Sequence, residues 1–350
     1  MYYDTVENNN IWWAYIKDGK VDPFSHRTSI DDIYIERSCK VSRKVNDLRS
    51  EMEYAAIDIC NKNDDVTILY SGGLDSEMIV RTFHGLGLKF NVKIFEFGND
   101  INKHDTDYAI NTCEELGIKP DIETVDVVKW LENDLQEYAS PLRSASPQIA
   151  LHYYMIDNTP GFVIMGEGRI SPRRCGAHYD METYTHKPVY FMESCGEKWG
   201  VSQWFKYRNR SGSPKFYRYT PELEYAYAND PTTQDWINGM SVDMKLRNFK
   251  FVKTSMFQKY FPEIRYKTKY TGFETIMDLD KIYRDELAVM YPSSNSFVSY
   301  DFNTFLDIKS GKVEINTIRY VPLTEVYNDK DILNDFRYET DMGTHVVGVV

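Results

Sequence analysis

The segment SGGLDS, residues 71–76, brings two adjacent glycines together with two hydroxyl side chains and one carboxylate. It lies between an apolar run and a run with helical spacing, which indicates a strand-to-helix turn. Glycines let the backbone approach a ligand closely, and the free N–H groups of a helix N-terminus favour an anion. Ser71 and Ser76 can add hydroxyl donors, so the segment predicts a phosphate-binding turn.

Asp75 would repel a bare phosphate, so it is best explained as a Mg²⁺ ligand at a polyphosphate. No Lys follows the glycines as it does in the GxxxxGK[ST] loop, so the segment is not the turn of nucleotidases that cut at the γ-phosphate. The competing interpretation is an ordinary tight turn without a ligand. The strand before the segment and the helix after it favour the nucleotide-binding interpretation.

The hydrophobic pattern indicates which elements hold this turn. Strands are predicted at residues 64–70, 90–98, 121–127 and 161–168, and helices at 44–62, 76–87, 103–118, 127–139 and within 140–157. Strands that alternate with helices predict an α/β fold with a doubly wound, mostly parallel sheet. Ligands of such sheets bind beyond the carboxyl ends of the strands, where the glycine turns 71–73 and 166–168 fall.

The pattern divides the chain into three parts. Residues 1–60 form a small N-terminal segment with extended pieces such as IWWAYI, residues 61–280 form the main domain, and residues 281–350 form an irregular C-terminal extension. Inside the main domain, residues 171–220 are typical of loops with short elements, whereas residues 232–261 have helical spacing.

Composition narrows the class of protein. Acidic side chains outnumber basic ones by 53 to 41, and the formal charge of −12 makes a nucleic-acid partner an unfavourable hypothesis. Five scattered cysteines without a CxxC pair indicate free thiols and no structural zinc site. The first residues lack a signal-peptide pattern and no run of about 18 apolar residues occurs, so we expect a cytoplasmic protein without a membrane partner.

SGGLDS and its flanks resemble the PP-loop signature of the N-type ATP pyrophosphatases. Within that superfamily the chain is similar to the synthetase domain of asparagine synthetase and to β-lactam synthetase, over about residues 60–275. VIMGEG, residues 163–168, resembles the second motif of that domain. IRYKTKYTGF, residues 264–273, resembles the later segment that carries a catalytic lysine.

This resemblance implies an activity. ATP binds with Mg²⁺, a substrate carboxylate attacks the α-phosphorus, and ammonia or another amine then attacks the acyl-adenylate. The products are an amide, AMP and pyrophosphate. The implied partners are therefore a small-molecule carboxylate and a small-molecule amine.

The resemblance also implies roles for individual residues. Asp75 holds the metal, the backbone around Phe95 and Phe97 receives adenine, and a lysine stabilises charge on the reacting groups. The implied catalytic residues are Glu167, Lys267 and, as a substitute, Lys269. The implied nucleotide-binding residues are Ser71, Gly72, Gly73, Leu74, Asp75, Ser76, Phe95, Phe97, Gly166 and Arg169.

The second motif departs from the family pattern. Arg169 and Ile170 stand where the family has a small residue and an Asp that completes the Mg²⁺ site. Three hypotheses remain open. In the first, Glu167 is the second metal ligand. In the second, the basic residues of GEGRISPRR (Arg169, Arg173 and Arg174) replace part of the metal's charge, and in the third, turnover is lost.

Other functions stay open beside the synthetase. The chain begins Met1-Tyr2-Tyr3, without the N-terminal cysteine nucleophile of a glutaminase, so we expect free ammonia or another amine as the nucleophile. A PP-loop enzyme that modifies a nucleobase or tRNA is one alternative, although single cysteines such as Cys113 and Cys175 do not suit sulfur transfer. The other alternative is a catalytically inactive nucleotide-binding protein.

Overall fold

The computed structural model describes most of the main domain predicted from the sequence. The described residues are 43–142, 144, 146–166, 201, 204–205, 207–228, 230–232, 249–268 and 270–290, with the short strands at 11–17, 20–22, 33–38, 172–174, 190–192, 337–340 and 343–346. Every statement below that a feature is absent refers to these residues. The predicted domain boundaries at 60 and 280 stay a prediction.

The strands fall into one central sheet and three small antiparallel groups. In chain order, β1 to β12 comprise Ile11–Lys17, Lys20–Asp22, Ile33–Ser38, Val66–Leu69, Asn91–Phe97, Asp121–Val125, Phe162–Met165, Pro172–Arg174, Tyr190–Met192, Gly212–Ser213, Arg337–Thr340 and Gly343–Val346. The central sheet has the order β10-β7-β4-β5-β6, and every pairing in it is parallel. The groups β2-β1-β3, β8-β9 and β11-β12 are antiparallel.

Helices connect and cover the central sheet. In chain order, α1 to α9 comprise Leu48–Lys62, Leu74–Gly85, Lys103–Glu115, Val127–Asn133, Leu135–Ala139, Pro147–Asp157, Pro221–Ala228, Phe249–Gln258 and Met277–Met290. A short 3₁₀-helix, Phe216–Arg218, precedes α7. No helix among the described residues is both long and apolar enough to cross a membrane.

Both faces of the sheet are covered around β4 and β7, which explains why these two strands are mostly apolar, whereas the edge strand β6 is largely exposed and carries charged residues. Val92 and Ile94 of β5 pack into a core cluster with α1, α2 and the residues around α7 and α8. Phe95 and Phe97 of the same strand pack into a second cluster with α4, α5 and α6. The chain therefore has the predicted α/β fold, with helices on both faces of a parallel sheet.

Two local predictions differ from the structure. The single helix expected over 127–139 is broken into α4 and α5 at Asp134, where Asn133 turns its side-chain amide back to the carbonyl oxygen of Lys129. Asn and Asp side chains compete in this way with the helical backbone. The sequence analysis also missed β10, which pairs with the edge of β7 over two residues only and is too short to show a periodic pattern.

Candidate functional site

The order of the central sheet places a ligand-binding crevice beside β4. The chain runs outward from β4 to β5 and β6, and then crosses back to β7 on the other side of β4. In open parallel sheets, ligands bind outside the carboxyl ends of the strands at such a reversal. The turn at residues 70–73 follows β4 and Gly166 follows β7, so the first predicted glycine turn and Gly166 meet at this crevice.

Gly72 is required by the shape of the turn. Its φ is +73°, and a Cβ atom built on it would lie 1.9 Å from the backbone oxygen of Asp105, near the N-terminus of α3. A side chain would therefore collide with backbone and would also occupy a conformation that residues other than glycine avoid. The turn after β4 is fixed against α3 by this close approach.

The next residues form a cradle lined by hydroxyl groups. A Cβ on Gly73 would lie 3.3 Å from Oγ of Ser71 and 3.9 Å from Oγ of Ser76, so the glycine keeps open the space that both hydroxyls border. The two hydroxyl oxygens are 3.3 Å apart, and Ser76 also donates to the carbonyl oxygen of Gly73. Gly73 is the N-cap of α2 and has no side chain to bind the first N–H groups of that helix. These groups fit an anion such as a phosphate.

Gly166 and Leu74 support the same cradle from two sides. A Cβ on Gly166 would lie 3.0 Å from the backbone nitrogen of Ser76, so glycine lets the end of β7 lie directly against the first turn of α2. The side chain of Leu74 is buried in the core cluster under α2. A ligand in the cradle could therefore contact Leu74 only through its backbone N–H. That these residues bind nucleotide stays a prediction.

Asp75, the predicted metal ligand, is paired with a lysine. Nζ of Lys253, on α8, lies 2.5 Å from Oδ2 of Asp75, and this lysine side chain is only 9% exposed. Tyr217 donates its hydroxyl hydrogen to the backbone oxygen of Asp75 over 2.8 Å. Burial, reinforced by the charge of Asp75, raises the pKa of Tyr217 well above its usual value, so the hydroxyl remains a donor.

The sequence analysis missed Lys253 and Tyr217. Lys253 is one of several lysines in an amphipathic helix, and Tyr217 is one of 27 tyrosines, so neither carried a motif. Only the packing of α8 and of the 3₁₀-helix against α2 brings them to the turn.

Lys267, the predicted catalytic lysine, is buried beneath the turn. Its Nζ lies 2.5 Å from Oε2 of Glu77 on α2, and it donates to the carbonyl oxygen of Gly72 over 3.3 Å. It also lies over the ring of Tyr108, at 4.9 Å from the ring centroid. In this arrangement Lys267 joins the turn to the first turn of α2 and to α3. A role in catalysis stays a prediction.

The predicted adenine site is already hydrogen-bonded within the protein. The side chain of Asn102 donates to the carbonyl oxygen of Phe95 over 2.9 Å and accepts from the N–H of Phe97 over 2.7 Å. The carbonyl oxygen of Phe97 accepts from the N–H of Ile101 over 3.3 Å. Adenine could bind the N–H of Phe97 only after the buried side chain of Asn102 had moved.

Three predicted site residues, Glu167, Arg169 and Lys269, lie outside the described residues. Within the described ranges, no three His, Cys, Asp or Glu side chains gather into a metal-binding group. Mg²⁺ is commonly held by one or two carboxylates together with substrate phosphates and water. Asp75 fits that donor set as one carboxylate ligand, through Oδ1 or, if Lys253 moves away, through Oδ2.

Comparisons with known proteins leave the function to be argued from this geometry. No protein-family model matches the chain, and no curated protein matches it. Similar solved structures include NMN synthetase from Francisella tularensis, at 16% identity and a TM-score of 0.29, over 63% of this chain and 96% of that one. They also include NH3-dependent NAD synthetase from Campylobacter jejuni subsp. jejuni NCTC 11168, at 12% identity and a TM-score of 0.28, over 68% of this chain and 92% of that one. Likenesses this distant carry no argument about function.

Proposed function

We propose that this protein is an ATP-dependent synthetase of the PP-loop type. It adenylates a substrate carboxylate, releases pyrophosphate, and transfers the acyl group to ammonia or another amine, as asparagine synthetase does. The observation that carries the proposal is the cradle at the switch point of the sheet, where the hydroxyls of Ser71 and Ser76 border the space above Gly73 at the N-terminus of α2. A helix N-terminus with free N–H groups and hydroxyl donors is suited to the β- and γ-phosphates that leave as pyrophosphate.

The chain's own residues have distinct roles in this proposal. Gly73 and the two serines bind the leaving pyrophosphate, and the close approach of Gly72 to Asp105 keeps the turn in place. Asp75 holds Mg²⁺, which when bound neutralises charge on the polyphosphate. The hydrogen bond from Tyr217 to the backbone oxygen of Asp75 helps to hold this residue in place on α2.

The sulfur-transfer alternative is weakened by the state of Cys113, a fully buried cysteine of α3. Burial raises the pKa of the Cys113 thiol to about 11. Thiolate is the reactive form of cysteine, so this thiol is poorly suited to nucleophilic chemistry at neutral pH. The amide-forming reaction needs no cysteine.

A second candidate, nucleotide binding without turnover, is favoured by the ion pair between Lys253 and Asp75. Oδ2 of Asp75, which a buried ammonium holds at 2.5 Å, is not available to a metal until the pair opens. If the pair never opens, ATP would bind without being cleaved between the α- and β-phosphates.

Phosphorus NMR of the protein with Mg²⁺, ATP and a pool of carboxylic acids, amino acids and ammonium separates the candidates. The variant Asp75→Ala removes the proposed metal ligand, and Asp64→Ala removes an exposed carboxylate just before β4, at the opposite end of the strand. AMP and pyrophosphate that appear with the wild type and Asp64→Ala, and disappear with Asp75→Ala, would support the synthetase. Intact ATP despite measured ATP binding would support the second candidate. ADP and phosphate, lost in Asp75→Ala, would contradict both.

A further inference from the structure

Two acidic side chains occupy the first turn of α2, the same turn whose N–H groups face the cradle. Asp75 and Glu77 should both weaken the binding of a phosphate there, because like charges repel at short range. Each is paired with a lysine from the C-terminal half of the chain, Asp75 with Lys253 and Glu77 with Lys267. The site thus contains two lysines that neutralise its two carboxylates.

The two pairs differ in how firmly they are enclosed. Glu77 is 2% exposed and Lys267 is 7% exposed, and Arg81 contacts the other carboxylate oxygen of Glu77 at 2.9 Å. Asp75 is 26% exposed, whereas Lys253 is 9% exposed. Of the two pairs, the Asp75 pair is therefore the more accessible, and its ammonium lies at the first turn of α2, where the free N–H groups are.

Mg²⁺ and the Lys253 ammonium compete for Oδ2 of Asp75. Mg²⁺ requires carboxylate and phosphate oxygens at close range in a regular octahedron, and at Oδ2 it would lie against an ammonium group that is 2.5 Å from the same oxygen. If a metal takes Oδ2, the displaced ammonium can form an ion pair of the same kind with a phosphate oxygen at the first turn of α2. If no metal is present, Lys253 neutralises the charge of Asp75.

We propose that Lys253 is a built-in cation of the cradle and lets the site bind pyrophosphate without a divalent metal. When the anion binds, the ammonium group of Lys253 moves from Asp75 to the phosphate oxygens. The proposal rests on the proposed function for the identity of the anion. It assigns Lys253 a direct contact with the ligand, and it assigns Asp75 the role of holding that lysine before the ligand arrives.

Isothermal titration with sodium pyrophosphate in a buffer that contains EDTA tests this directly. We expect the wild type to bind without metal and Lys253→Met to bind at least about tenfold more weakly, because a charge-assisted contact is lost. Lys253→Arg should retain most of the affinity. The control is Lys62→Met, which removes the same charge from an exposed site at the far end of α1, just before the amino end of β4, and should bind like the wild type.

A double variant keeps the test valid if the single substitution disturbs the fold. Asp75→Asn releases the ammonium of Lys253 and should bind pyrophosphate at least as tightly as the wild type. Asp75→Asn with Lys253→Met leaves no unpaired charge from this ion pair, and it should bind at least about tenfold more weakly than Asp75→Asn alone. Thermal unfolding of each variant reports whether it is folded during the titration.

Three results would overturn the proposal. The first is wild-type binding that requires Mg²⁺, and the second is equal binding by Asp75→Asn and the double variant, which would mean that Lys253 only neutralises Asp75. The third is the absence of binding with and without Mg²⁺, which would remove the proposed anion site as well. Metal-free binding that depends on Lys253, in a protein that forms no AMP, would leave this inference standing while the synthetase proposal fails.

Discussion

The ammonium nitrogen of Lys267 lies 2.5 Å from Oε2 of Glu77, and both side chains are almost completely buried. Lys267 belongs to the segment between α8 and α9, whereas Glu77 lies in the first turn of α2. Because the same ammonium donates to the carbonyl oxygen of Gly72, it joins the glycine turn after β4 to the helix that follows it. Lys267 is thus a positioning residue in this arrangement, as well as the position that resembles a catalytic lysine.

Removing the charge of Lys267 should therefore destabilise the fold. Lys267→Met leaves the buried carboxylate of Glu77 with Arg81 as its remaining cation, and we expect the free energy of unfolding to fall by about 2–4 kcal/mol. Glu77→Gln combined with Lys267→Met should recover part of this loss, because no unpaired charge then remains. Urea unfolding measures both values.

The surface pair of Lys62 and Asp58 provides the control for that experiment. Lys62→Met removes an equal charge from a side chain that is 63% exposed, and it should change the free energy of unfolding by less than about 1 kcal/mol. If Lys267→Met changes the free energy of unfolding as little as Lys62→Met does, the buried pair does not hold the turn.

Gly72 and Gly117 allow steric collision to be separated from backbone strain. Both have positive φ, +73° and +68°, but a Cβ on Gly72 meets the backbone oxygen of Asp105 at 1.9 Å, whereas a Cβ on Gly117 has nothing within 4 Å. Gly117→Ala should cost about 1 kcal/mol from conformation alone. Gly72→Ala should cost about 1–3 kcal/mol more, because the turn or α3 must shift. Thermal and urea unfolding of the two variants measure the difference, and equal losses would contradict the close approach.

The turn could be predicted from sequence because its requirements are local. Two glycines, two serines and a helix start must follow a buried strand directly, so the segment at 71–76 shows strand, turn and helix together. The parallel sheet was predictable for a similar reason, since the central strands β4 and β7 are short, mostly apolar runs and helical patterns alternate with the strands.

The partners of the turn could not be predicted because they come from distant segments. Lys253 is 178 residues from Asp75 in the chain, and its role follows from the packing of α8 beside α2. Asn102 is close in sequence to Phe95 and Phe97, but an Asn after a strand is typical of any turn. Its pairing with both backbone groups depends on the path of residues 98–101, which residue types do not specify.

Asn102 should control the stability of the end of β5. Asn102→Ala leaves the carbonyl oxygen of Phe95 and the N–H of Phe97 without their side-chain partner, and we expect a loss of about 2–4 kcal/mol in the free energy of unfolding. The backbone N–H of Phe97 should exchange faster with solvent, which hydrogen exchange detected by NMR reports for that single group.

The control for Asn102 is Asn158→Ala. Asn158 donates its side-chain amide to the carbonyl oxygen of Tyr154 over 2.9 Å at an exposed helix end, so its loss should cost about 1 kcal/mol or less. Unchanged protection of the Phe97 N–H in Asn102→Ala would contradict the hydrogen bonds described here. Tighter ATP binding by Asn102→Ala would support adenine binding at these same backbone groups.

Glu115 should make the stability of the protein depend on acid pH. The hydrogen bond from Arg81, opposed by partial burial and reinforced by the charge of Arg81, lowers the pKa of Glu115 from its ordinary value of 4.5. Because the folded-state pKa is the lower one, the ionised carboxylate stabilises the folded protein. This stabilisation is fully present above about pH 4.5 to 5 and is lost as the pH falls through the folded-state pKa.

Urea unfolding of Glu115→Gln at pH 7, 5, 4 and 3 tests this dependence. The side chain of Glu115 is 49% exposed, so solvent screening limits the loss at pH 7 to less than about 1 kcal/mol. The difference from the wild type should shrink toward zero at pH 3, because protonated Glu and Gln then have the same charge. Glu114→Gln, next to it on the exposed side of α3, should show no such convergence. A difference for Glu115→Gln that is the same at every pH would assign its effect to packing rather than to the ion pair with Arg81.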